Sequence, residues 1–150
     1  MKCCQECTPV KKRFAISITL GILFGFFCAF SAWKGNPELS GNPENCFFKS
    51  AITWCIVVNR FLIGLMIAFA GAFTHHPIFG FKCFPAVRGA ILGILVSLVN
   101  AIGILTVPSE KMWMGFWLTI IFGAIYGMII DIVASKFGGE GKVLLEKNKE

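Results

Sequence analysis

The stretch Phe47–Phe73 is apolar nearly throughout and long enough to cross a bilayer, yet it carries Arg60 near its middle, next to Asn59. A spanning helix needs about 20 predominantly apolar residues. Each Leu, Ile, Val or Phe in it favours insertion by about 0.3–0.6 kcal/mol, against roughly 2.5–3.5 kcal/mol for one central Arg. The segment can therefore still insert, but Arg60 cancels a large part of its driving force. A charge at that depth needs a partner, and it marks a structural or functional centre.

The rest of the chain reads the same way. Phe14–Trp33, Ala86–Val107 and Trp113–Ser135 are three further apolar runs, so the expected architecture is an all-α integral membrane protein with four transmembrane helices. Spans of about 14–33, 47–73, 86–107 and 113–135 form one domain over 1–150, with polar tails at 1–13 and 136–150. Cleavage of the first run as a signal peptide is the rival reading, with Ala29 and Ser31 as the small residues; the run is long for that role. The residues between the third and fourth runs, Ser109–Met112, make so short a turn that those spans form an antiparallel hairpin. The first loop repeats Gly-Asn-Pro-Glu at Gly35 and Gly41, which reads as two consecutive turns.

Four spans place both tails on one side, and basic residues choose the side. The tails and second loop hold Lys2, Lys11, Lys12, Arg13, Lys82, Arg88, Lys136, Lys142, Lys147 and Lys149, whereas the other loops hold Lys34, Lys49 and Lys111. Both termini are expected in the cytoplasm of a plasma (inner) membrane protein. Trp33, Trp54, Trp113 and Trp117 all fall at the opposite ends, as an interfacial belt would. The net charge of +6 follows from these flanking residues and gives no ground for nucleic acid as a partner. The partner expected for such a surface is the lipid bilayer.

Small residues recur four apart in every span: Ser17, Gly21, Gly25 and Ala29; Gly64, Ala68 and Ala72; Gly89, Gly93, Ser97 and Ala101; Gly115, Thr119, Gly123 and Gly127. Lipid offers no hydrophobic force between helices, so such small-xxx-small faces are how backbones approach and associate. Arg60 continues the second row backwards, and Asp131 lies between Gly127 and Ser135 on the fourth. Both charges therefore face the bundle. Asp131 is about 9 Å deeper than Arg60 along the parallel spans two and four. A long Arg side chain with Asn59 or Asn100 could bridge that offset, while Arg88 competes from nearer the depth of Asp131. A faint internal repeat matches Leu20–Leu23 to Leu92–Leu95, which is the pattern of a parallel duplication.

No nucleophile–base–orienter set, zinc-protease motif or phosphate loop is visible, so an enzyme is not expected, nor is a cofactor. The leading expectation is a small transporter or channel subunit for a polar or anionic solute. Its ligand-binding candidates are Arg60, Asn59, Asp131, Asn100 and Arg88. Four helices are few for a complete path, so a homo-oligomer or a membrane-complex subunit is expected. One alternative is a non-catalytic structural or accessory subunit whose buried charges only lock helix packing. A second is a cytoplasmic metal site built from Cys3, Cys4, Cys7, His75, His76 and Cys83, of which Cys4-x-x-Cys7 has ligand spacing. Acylation of the N-terminal cysteines competes with it.

Overall fold

The computed structural model describes residues 9–35, 46–72, 84–106 and 111–141. They form four α-helices: α1 (Pro9–Gly35), α2 (Ala51–Ala70), α3 (Pro85–Leu105) and α4 (Met112–Gly138). A single 3-10 turn, Phe47–Lys49, precedes α2. All four helices are long and apolar enough to cross a membrane.

The helix bounds differ from the expected spans at informative places. The second helix starts at Ala51 and not at Phe47, because Ser50 is extended (φ −73°, ψ 124°) and separates it from the 3-10 turn. The first helix starts five residues early, at Pro9, which suits a helix start because its missing N–H is one that no helical carbonyl would receive. Its 27 residues span about 40 Å, longer than the ~30 Å hydrocarbon core. The extra turn carries Lys11, Lys12 and Arg13, and of these only Arg13 is buried. At the other end of the chain α4 stops where Gly139 and Gly141 take positive φ (81° and 63°), which side chains disfavour.

Helices α3 and α4 make the most extensive pair, followed by α1 with α2; α1 also packs on α4. The core is Ile63, Ile67 and Ile130, fully buried, with Leu20, Phe24, Leu92 and Val96 packed against it. Between paired helices the backbones come close. A Cβ added at Gly21 would lie 2.8 Å from the carbonyl oxygen of Arg60, and one at Gly89 would lie 2.8 Å from Cβ of Asp131. Both glycines are thus required by the approach of the neighbouring helix. The outward faces carry large apolar side chains such as Phe27, Phe69, Val99 and Ile121. Water would not tolerate that surface, and lipid would.

Candidate functional site

Two polar centres lie inside this apolar bundle, at different depths. The first is at the end where α1 begins and α4 stops, and Asp131 is its hub. Arg88 of α3 donates to it at two points, Nε to Oδ2 at 2.7 Å and Nη2 to Oδ1 at 2.9 Å. Arg13 of α1 donates from Nη2 to Oδ1 at 2.5 Å. Ser135, one turn on from Asp131, sits within reach of Asp131 and of both guanidinium groups. Glu140 accepts from Arg88 at 3.4 Å, so two cations meet two carboxylates. Asp131 is wholly buried, and so is Arg13.

Arg13 is held by more than charge. Its guanidinium donates to the carbonyls of Ile67 in α2 and Gly139 after α4. The Ile67 carbonyl, in the last turn of α2, also accepts from the Gly71 amide at 3.2 Å, and both carbonyls lie at the negative poles of helix dipoles, where a cation is favoured. Glycines make the room: a Cβ at Gly138 would lie 2.7 Å from Cα of Arg13, and one at Gly71 would overlap its guanidinium. The amide of Gly141 donates to the carbonyl of Gly71 at 3.0 Å, which ties the α4 end to the α2 end beside this side chain.

The second centre is Arg60, 3% exposed and ten residues into α2. Its Nη1 donates to Ser97 Oγ at 2.7 Å and to Asn59 Oδ1 at 3.1 Å, and its Nη2 approaches the Cys28 thiol at 3.9 Å. The Tyr126 ring lies 5.3 Å from the guanidinium carbon, itself stacked on Phe24 at 4.9 Å. Asn59 is anchored in turn by donating Nδ2 to the Val96 carbonyl at 2.9 Å. Among the described residues no carboxylate pairs with Arg60, and its Nε has no partner.

The structure therefore separates residues that sequence reasoning joined. Arg60 and Asp131 do not pair; depth decides this, because Arg88 and Arg13 reach Asp131 at its own level. Asn100 does not help Arg60 either, since its Oδ1 accepts from Cys55 Sγ at 3.6 Å. Of the candidates, Asn59 stays with Arg60 and Arg88 stays with Asp131. Arg13 falls in the expected polar tail, although it continues the row Ser17, Gly21, Gly25, Ala29 backwards by four. Ser97, Tyr126 and Cys28 join the site without being among the residues the sequence marks as ligand-binding candidates. Ser97 lies on the small-residue row of α3, so the spacing that exposed Arg60 could have found it as well as Arg13. Glu140 carried no such signal. Cys3, Cys4, Cys7, His75, His76 and Cys83 lie outside the described residues, and among the described residues no group of His, Cys, Asp or Glu could hold a metal.

The arrangement is that of a bundle of four helices long and apolar enough to span a membrane, with a neutralised ion cluster at one end and, in mid-helix, a cation that no described carboxylate pairs. No protein-family model, no curated protein and no solved structure matches the chain.

Proposed function

We propose that this is a multi-pass membrane protein that binds or passes a polar or anionic solute at Arg60. The observation that carries the reading is the asymmetry between the two centres. Arg13 and Arg88 have carboxylate partners, whereas Arg60, equally buried, has partners among the described residues that carry no carboxylate: Asn59, Ser97, Cys28 and Tyr126. A buried charge without a counterion is costly, and an anion is the species it would bind best. The Arg13–Asp131–Arg88 cluster then holds the helices and does not touch solute. The small-xxx-small faces are the device by which the helices associate around both centres.

Both termini are assigned to the cytoplasm of the plasma (inner) membrane, supported by the excess of Lys and Arg on that side and the Trp residues on the other. One chain offers four helices, and a homo-oligomer or a larger complex completes the path. No catalytic step is assigned to it.

The test is anion flux into proteoliposomes, followed with a halide-sensitive dye, alongside direct anion binding to the purified protein. Arg60→Gln should abolish both while leaving helicity and thermal unfolding near those of the parent. Unchanged flux and binding in that variant would overturn the reading. The second reading, an accessory subunit whose charges only lock packing, draws on the complete pairing around Asp131. It predicts that the purified protein binds no anion, and that Arg60→Met folds and keeps the protein in its complex.

A further inference from the structure

Helices α2 and α3 pack only loosely, and a groove of about 650 Å³ opens between them on the outer face of the bundle. That volume lies in the ~300–1,000 Å³ range of small-molecule sites. Its wall is not uniform. Cys55, Asn59 and Asn100 stand together toward the Trp54 end, and Leu62 and Met66 continue the wall toward the α2 C-terminus. From Cys55 to Met66 the groove runs about 16 Å along the helix. The Asn100 amide nitrogen donates to no described residue, although Asn100 lines a groove whose walls are otherwise almost wholly apolar. Asn59 belongs to both places: it lines the groove, and its Oδ1 accepts from Arg60 Nη1 at 3.1 Å. One amide side chain thus separates a lipid-facing apolar groove from a buried cation that has no described counterion.

We propose that this groove takes a single-chain amphiphilic anion, a long-chain carboxylate or a molecule of like chemistry, entering from the bilayer. Its apolar chain lies along Leu62 and Met66, and its head meets Asn100 and Asn59 in the field of Arg60. Charge complementarity selects the head: Arg60 attracts an anion, and the low dielectric of the bundle strengthens the attraction. The groove selects the chain, since a small hydrophilic anion would gain nothing from Leu62 or Met66. A swing of the Asn59 amide off Arg60 brings the head and the guanidinium into direct contact. This inference rests on the reading of Arg60 as an anion site and names the class of anion.

The experiment uses full-length protein in phosphatidylcholine nanodiscs with Trp54 as its single tryptophan, Trp33, Trp113 and Trp117 being replaced by Phe. Trp54 lines the groove at the end where the head is placed, so bromine on carbons 2 and 3, beside the head, quenches it. Dibrominated stearate should quench Trp54 saturably, and the matching dibrominated alcohol should act at least about tenfold more weakly, the loss expected for one charge-assisted contact. Arg60→Gln should remove that difference. Val99→Phe alters a lipid-facing groove residue that is 75% exposed, so the fold should be kept, and it should weaken quenching by both probes. Equal, unsaturable quenching by acid and alcohol would overturn the proposal and leave ordinary lipid contact. Saturable quenching by the acid that persists unchanged in Arg60→Gln would also overturn it. No quenching, together with Cys55–Cys55 cross-links between chains on mild oxidation, would show the groove to be an interface between copies. If halide binding at Arg60 holds while stearate fails, this inference alone falls. If both fail, the reading of Arg60 falls with it.

Discussion

Arg88 meets Asp131 through two parallel hydrogen bonds, Nε to Oδ2 at 2.7 Å and Nη2 to Oδ1 at 2.9 Å, with Arg88 on α3 and Asp131 on α4. This two-point geometry uses the guanidinium fork fully and fixes orientation as well as charge. A lysine could not reproduce it. Arg88→Lys should lower the thermal unfolding midpoint in detergent even though the charge is kept.

Truncating Asp131 should be the most damaging change at this end. Asp131→Ala leaves Arg13 and Arg88 facing each other in a buried place, and breaking a buried pair commonly costs about 3–5 kcal/mol. Arg88→Ala should cost less, because Asp131 keeps Arg13. Denaturation of the purified variants would give the order; equal losses for the two would show that Arg13 does not share the charge.

Arg60 and Asp131 have no partner in common, so the damage from Arg60→Leu and Asp131→Leu should be additive within about 0.3–0.5 kcal/mol. By contrast, Arg88→Leu with Asp131→Leu should show a coupling energy of roughly 0.5–3 kcal/mol. A double-mutant cycle on each pair decides between the two centres being one network or two.

Glycine substitutions should separate close approach from open space. Gly138→Ala would place a Cβ 2.7 Å from Cα of Arg13, and Gly89→Ala would place one 2.8 Å from Cβ of Asp131, so each should destabilise by about 1–3 kcal/mol through overpacking. Gly103→Ala meets nothing within 4 Å and should be neutral or stabilising by up to about 1 kcal/mol, since alanine is the better helix former. Thermal unfolding of the three variants checks this.

The proposed orientation can be read by thiol labelling of intact cells with a membrane-impermeant maleimide. Cys46, exposed just before the turn that leads into α2, should react from outside. Cys83, next to Lys82 in the second loop, should react only after permeabilisation. Outside labelling of Cys83 would reverse the orientation.

Four helices long and apolar enough to span a membrane, and much of the faces they turn inward, were legible in the chain alone. Length and hydropathy decide whether a segment can cross a bilayer, and both are local properties. The four-residue spacing is equally local, because residues one turn apart share a helix face wherever the helix goes. So Arg60 and Asp131 could be placed inside the bundle before any packing was known, whereas Arg88, one residue off the Gly89 row, read only as a cation at the start of the third span. Which of them meet could not be read in that way. Pairing depends on the relative depth of side chains on different helices, and a shift of one turn, about 5.4 Å, makes or breaks an ion pair. Arg13 shows the limit most clearly. In sequence it closes a basic run that reads as a solvated tail, and only the convergence of Gly71, Gly138 and two helix ends turns that place into a buried cation site. The isolation of Arg60 is likewise a tertiary fact. Asp131 was within imaginable reach of it, and the arrangement of α1 and α3 assigned that carboxylate to Arg13 and Arg88 instead.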